Sequence, residues 1–344
     1  MPKDNENLPF PDLGSLAPSE PQGFAADQMV RCEECLRANP PTRVNCLYCG
    51  VALPVTEVSA RLQKPSLRRL EKWEQGFNCI LQPPRQRGFA PQAISDAAAL
   101  LKLSEEDLRR ILSVGSSLPV ARAASLDEAS LLSRRLAELG FETFTVADEK
   151  LNGSQPVVRV RAAIFYEDAL VCHPVPANAV ATELPFGKID LLVVGRLFFK
   201  RVEVKERKSR RAEADIVNAS EFFKDVAILD IHAVNASWRI EANNFDFSLL
   251  GELKTLVAGE NLNTLISLIR ERAPHLEVDQ SYGALRQSLE PVWPSEQRSE
   301  SIGWKRDRPG RYSTSEATES SNEDQFSRYS RLRHFLKLAA TRHE

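Results

Sequence analysis

Cys32-Glu33-Glu34-Cys35 and Cys46-Leu47-Tyr48-Cys49-Gly50 decide how the front of this chain folds. The two CxxC pairs flank a ten-residue loop and hold four of the six cysteines. A CxxC knuckle turns both sulfurs toward one point. Two facing knuckles make a tetrahedral S₄ pocket, which suits Zn²⁺. Cys32, Cys35, Cys46 and Cys49 are therefore the expected ligands, and Zn²⁺ the expected cofactor. A closed Cys₄ shell leaves no position for a catalytic water, so a structural clip is expected rather than a hydrolytic centre. Redox chemistry would need a strand–helix setting that the flanking residues do not provide.

The fuller pattern over residues 29–53, C-x₂-C-x₃-N-x₆-C-x₂-C with Asn39 at its centre, resembles zinc ribbons and the Ran-binding-protein type of zinc finger. Those fingers carry a Trp just before the first cysteine, where Met29-Val30-Arg31 stands here. The resemblance implies a small metal-clipped fold and, as one alternative, a nucleic-acid-binding zinc finger. Arg37 and Arg43 are the cations such a finger would offer.

Bulk composition narrows the rest. The 344 residues suffice for two or three domains. Charged residues make up 27% and nearly cancel, at a formal net charge of −2, so any pull toward nucleic acid or membrane must be local. No run of about 18 apolar residues is present, and no spanning helix is expected. Met1 through Asn7 is polar and acidic, unlike a secretory signal. Cys79 and Cys172 show no paired spacing, so reduced thiols and a cytoplasmic location are expected.

The expected class is an α+β multi-domain protein. Residues 1–28, rich in Pro, Gly and Ser, read as a disordered tail. Residues 54–92 read as a linker, in which Leu67, Leu70 and Trp73 form one face of a short amphipathic helix. Residues 93–150 read as a small α/β unit. Ser104 caps a helix rich in acids at its start, and Leu118–Ala124 reads as a strand. Ser125 caps a second helix that stops at Gly140, and Phe141–Val146 is another strand. That βαβ unit resembles half of a ferredoxin-like fold. The first pair of helices also has a helix-turn-helix look, with Arg109 and Arg110 set among acids.

Residues 156–275 read as β-rich. Strands are expected at 157–166, 169–173, 189–194, 197–205, 226–232 and 238–242, with a turn at Gly195-Arg196 and a helix or loop at 211–223. A helix over Asn261–Arg272 follows. Many strands closed by one amphipathic helix resemble a pleckstrin-homology-like domain, a β-barrel with a C-terminal capping helix. Residues 276–344 read as a partly disordered tail. It holds a mobile Ser/Thr/Glu run at 313–324, open to phosphorylation, and a basic amphipathic helix from Phe326 to Leu338. That helix is expected to dock on the body, or else to serve a partner or a membrane surface.

One pattern looks catalytic. Asp190 closing one strand, then Glu203-Val204-Lys205 on the next, resembles the core of PD-(D/E)XK nucleases. The resemblance implies Asp190 and Glu203 as Mg²⁺ ligands and Lys205 as the catalytic lysine. The densest basic run, Lys200 to Arg211, could meet nucleic acid or anionic lipid. The histidines His173, His232, His275 and His334 show no partner spacing. Together these features point to a non-enzymatic interaction or regulatory (adaptor) protein binding another protein. A Mg²⁺-dependent nuclease and a nucleic-acid-binding finger protein are the alternatives.

Overall fold

The computed structural model describes residues 23–54, 56, 59, 67–71, 73–83, 88–152, 156–175, 178–209, 215–308 and 311–341. Most of the expected tail, residues 1–22, lies outside these. The chain divides into two compact units, 1–64 and 65–344.

In the first unit, β1 (Val30–Arg31) pairs antiparallel with β2 (Ala38–Asn39). The core is Val30, Cys32, Cys46 and Leu53. Four such residues bury too little apolar surface to order a segment of this length by themselves.

In the second unit, β3 (Phe77–Leu81) is followed by α1 (Pro91–Leu101), α2 (Glu105–Ser113), β4 (Leu118–Ala123), α3 (Leu126–Glu138), β5 (Thr143–Ala147) and the short α4 (Asp148–Asn152). The two expected caps are in place. Ser104 Oγ accepts from the Asp107 N–H at 3.0 Å, and Ser125 Oγ from the Glu128 N–H at 3.2 Å. The strand order is β4-β3-β5, with β3 antiparallel to both neighbours. The βαβ unit is thus split, and its missing centre comes from the segment read as a linker. The burial of Cys79, Ile80 and Leu81 is the reason, since five residues between Gly76 and Pro83 supply a central strand. No helix forms over the described residues 67–71 and 73–76. Leu67 has a positive φ of 35° and gives its N–H to Glu128 Oε1, while Trp73 points into solvent.

Eight strands then follow one path in an open, curled half-barrel. They are β6 (Val158–Phe165), β7 (Ala169–Pro174), β8 (Thr182–Pro185), β9 (Ile189–Ser209), β10 (Asp215–Ala233), β11 (Ala236–Glu241), β13 (Glu296–Arg308) and β14 (Arg311–Ser321), in the order β13-β14-β9-β10-β11-β6-β7-β8. The short β12 (Glu277–Asp279) adds in parallel beside Leu191–Val193 of β9. Helices α5 (Ala258–Arg272), α6 (Tyr282–Leu289) and α7 (Glu323–Thr341) complete the unit.

Strands β9 and β10 feed two cores, one on each face of the sheet. Leu192, Leu229 and Ile231 pack with Leu262, Leu265, Ile266 and Ile269 of α5. Leu191, Val193 and Ile228 pack with Tyr282, Phe326, Tyr329 and Leu332, and with the core of the small sheet. The expected capping helix therefore lies on one sheet face. The C-terminal basic helix is docked by Phe326, Tyr329 and Leu332, all buried, so its apolar face is not presented to a membrane.

Three other expectations change. Gly195-Arg196 is not a turn, because β9 runs unbroken for 21 residues. Gly195 stands where a ring must approach the backbone. A Cβ there would lie 2.7 Å from Phe326 Cδ2 and 3.1 Å from Tyr282 Cδ1. Beside it, Asn322 bridges the interval between β12 and β14. Its Oδ1 accepts from the Phe198 N–H at 2.8 Å and its Nδ2 donates to the Arg196 carbonyl at 3.0 Å. Of the helix or loop expected at 211–223, residues 211–214 lie outside the described residues, and 215–223 are strand, paired along β9 from Asp215↔Arg207 onward. Of the Ser/Thr/Glu run at 313–324, residues 313–321 lie in strand β14, hydrogen-bonded to β13 on one side and β9 on the other, and Glu323 and Asp324 begin α7. Ladders on both sides satisfy the backbone of β14, and Tyr312, Thr314 and Thr318 fit a pleated surface. Among the described residues, no helix is long and apolar enough to cross a membrane.

Candidate metal centre

Each cysteine pair sits on a knuckle made by the backbone. In the first, the Cys32 N–H donates to the Arg37 carbonyl and the Leu36 N–H to the Cys32 carbonyl, both at 3.0 Å. In the second, the Cys46 N–H donates to the Val51 carbonyl at 2.7 Å and the Gly50 N–H to the Cys46 carbonyl at 3.0 Å. The residue four places after each leading cysteine takes a left-handed conformation, with φ of 58° at Leu36 and 77° at Gly50.

The four sulfurs lie within 4.8 Å of one another. Cys32 and Cys49 sulfurs are 3.6 Å apart, and those of Cys35 and Cys46 are 3.5 Å apart. A disulfide needs about 2.05 Å. Tetrahedral Zn–S bonds of about 2.3 Å imply sulfur separations of about 3.8 Å. The group fits a tetrahedral ion far better than it fits disulfides, and its donor set suits zinc.

Asn39 ties the two knuckles together from inside. It is fully buried, with its Oδ1 accepting from the Leu47 N–H at 2.8 Å. Its Nδ2 donates to the Arg37 carbonyl at 2.9 Å and to Cys46 Sγ at 3.5 Å. Burial pushes the Cys46 thiol up, but the backbone N–H groups of Tyr48 and Cys49, with Cys35 and Asn39, outweigh it and bring it to about 6. For Cys49, the Val51 backbone pulls down, but burial and the three neighbouring sulfurs carry the thiol to about 12. Cys46 therefore ionises more readily than Cys49, and the negative charge on one sulfur opposes ionisation of its neighbour until a cation is shared.

Around this centre the surface is mixed, with the charged Arg31, Glu33, Glu34, Arg37 and Arg43 exposed among apolar side chains. Leu36, Leu47, Tyr48 and Val51 are all exposed, Leu36 at 62% and Tyr48 at 56%. The Arg37 guanidinium lies 4.7 Å over the Tyr48 ring.

The nuclease-like residues are not brought together. Asp190 and Glu203 lie on the same strand, 13 positions apart, which at about 3.3 Å per residue is on the order of 40 Å. Those two carboxylates cannot share an ion. Glu203 instead pairs with Lys205 at 3.3 Å and accepts from Ser315 Oγ at 3.2 Å. The bonds to Lys205 and Ser315 hold its carboxyl below the ordinary range. The basic run is also partly matched. Lys200 pairs with Glu221 at 2.9 Å and Arg201 with Glu319 at 2.7 Å. Arg210 and Arg211 fall outside the described residues. Arg109 and Arg110 pair within α2 to Glu105, Glu106 and Asp107.

A polar cluster that sequence spacing does not disclose sits beneath α7. His232 is buried, with Nδ1 2.8 Å from Ser237 Oγ and Nε2 2.7 Å from Ser330 Oγ. The His334 ring stacks on it at 4.7 Å and donates from Nε2 to Asp190 Oδ2 at 3.1 Å. Next to it, Asp230 accepts two bonds from Arg239, at 2.8 and 2.9 Å. The paired histidines are 102 residues apart in sequence, so only the fold unites them. His232 is closed to solvent, while His334 and Asp190 keep partial exposure.

Compared with known protein families, with curated proteins and with solved structures, the chain has no significant match.

Proposed function

We propose that this chain is a non-enzymatic adaptor of the cytoplasm, whose Cys32, Cys35, Cys46 and Cys49 hold one Zn²⁺ and whose zinc module docks another protein. The observation that carries this reading is Leu36. A leucine in the left-handed conformation costs about 1–2 kcal/mol relative to the ordinary one, and here it is not compensated by burial. Strain kept at an exposed position is best accounted for by what that side chain contacts outside the chain. Leu47, Tyr48 and Val51 extend the same kind of surface, and aromatic and aliphatic anchors are what protein interfaces use.

The zinc in this reading is structural. All four sulfurs are committed, so the ion orders the knuckles and polarises no substrate. The test has two parts. Elemental analysis of protein purified under reducing conditions should give one zinc per chain. Affinity capture should then retain a protein partner with the wild type and lose it with Leu47→Ser or Tyr48→Ser variants that keep their zinc. Retention by both variants would sink the docking surface. Salt-dependent binding of single-stranded RNA that weakens when Arg37 and Arg43 are neutralised would favour the nucleic-acid finger instead.

A further inference from the structure

Strand β10 has a neighbour on both sides only over part of its length. Its ladder with β11 ends at Ile228↔Glu241, whereas its ladder with β9 continues to Asp215↔Arg207. Among the described residues, the outer edge of β10 before Ile228 has no strand beside it. This edge belongs to a four-stranded arm, β13-β14-β9-β10, in which Ala317 is the only described residue buried among 199–207, 218–225, 296–301 and 313–320. An antiparallel sheet with neither face covered gains little from apolar burial.

Both edges of the arm carry charge, β10 through Glu221, Lys224 and Asp225, but they differ in exposed apolar side chains. On β13, Glu296, Arg298, Glu300, Lys305 and Arg306 place charge along the edge, a common protection against pairing. On β10, Phe222 and Phe223 are 57% and 59% exposed. Between Asn218 and Ala227 there is no proline, and the ladder there runs without a register shift.

We propose that this edge pairs antiparallel with the same edge of a second copy, about a two-fold axis at Phe222. A two-fold axis normal to a sheet sets residues of the same face opposite each other, so the axis must fall on a residue. Centred on Phe222, it places Phe222 against its own copy, Phe223 against Glu221, Lys224 against Ser220, and Asp225 against Ala219. No like charges face each other. A centre one residue earlier sets Glu221 against Glu221, and one residue later sets Glu221 against Asp225. A centre on Lys224 sets two lysines together, and one on Ser220 leaves the Phe222 ring against Asn218. Like charges directly opposite are destabilising, and aromatic pairs are favourable. The ion pairs Lys200–Glu221 and Arg196–Asp225 are within one copy and need not break.

The experiment uses the full chain. Sedimentation velocity over a concentration series should show a dimer for the wild type. The Phe222→Glu variant, with an unchanged circular dichroism spectrum, should raise the dimer Kd at least about tenfold. On mild oxidation Phe222→Cys should form a disulfide-linked dimer, because opposite Cβ atoms lie about 4.5–5.5 Å apart. Ser220→Cys should not, since its opposite residue is Lys224. A wild type that remains monomeric throughout overturns the proposal. So does a Phe222→Glu variant that dimerises as well as the wild type, or a Ser220→Cys variant that cross-links as readily as Phe222→Cys. A monomer that gains mass only with a different protein bound along β10 overturns it too.

Discussion

Leu36 and Gly50 occupy the same place in the two knuckles, four residues after Cys32 and Cys46, and both have positive φ. Glycine adopts that conformation freely and leucine does not. One knuckle is thus relaxed and the other strained, although their hydrogen bonds match.

Replacing Leu36 with glycine should relieve the strain. Part of the gain is offset by the greater freedom of glycine in the unfolded chain, leaving roughly 0.5–1 kcal/mol. Competition with a chelator should show zinc held a few-fold more tightly, while capture of the docked protein weakens. Tighter zinc with undiminished capture would mean that Leu36 is not part of the docking surface.

Asn39 touches no metal position, yet it orients Cys46 and joins both knuckles. Loss of such a supporting bond typically lowers metal affinity about 10–100-fold. The Asn39→Ala variant should release zinc to a chelator at correspondingly lower concentration. An unchanged competition curve would count against a supporting role for this side chain.

Gly195 should tolerate no side chain. In a Gly195→Ala variant the added methyl meets the Phe326 ring, and overpacking of this kind costs about 1–3 kcal/mol. Urea denaturation should show the loss. Combining it with Phe326→Leu should recover part of that loss, and strict additivity in the double mutant would contradict the contact.

His232 makes stability depend on pH. Burial is the main cause that brings its pKa from 6.5 to about 3. The folded protein keeps the ring neutral in that interval, while the unfolded chain takes up a proton. The stabilisation is therefore complete above pH 6.5 and declines by about 1.4 kcal/mol per pH unit as the pH falls toward 3. At pH 5 the loss is about 2 kcal/mol. The urea midpoint measured between pH 7.5 and 5 should fall accordingly, and a His232→Gln variant should flatten the slope. Asp148 and Asp230 have carboxyls held below the ordinary range by Arg122, Asn78 and Arg239, against the upward push of burial, so their contribution is lost only at lower pH. A slope unaltered by His232→Gln would assign the acid sensitivity to other groups.

The readable parts of this protein are those governed by local chemistry. Cysteine spacing identified the sulfur cluster, and Ser104 and Ser125 marked two helix starts, because knuckles and caps are decided within a few residues. The unread parts depend on distant partners. Gly195 looks like a turn residue until Phe326 is seen above it. Residues 218–224, mixed and polar, have no strand pattern of their own and take their form from the ladder with β9. Strand β3 is too short to announce itself beside the prolines that follow it. The His232–His334 stack follows from where α7 lies over β10, and the separation of Asp190 from Glu203 from the unbroken run of β9.

That strand also makes the molecule intolerant of changes in length. Leu191 and Val193 belong to one core and Leu192 to the other, so excising a single residue after Asp190 inverts the parity of everything downstream and turns each side chain toward the wrong neighbours. Excising two restores parity but drags Gly195 from beneath the phenylalanine. Within β9, changes of length are therefore tolerated only past the two cores, over residues 200–207, which belong to neither.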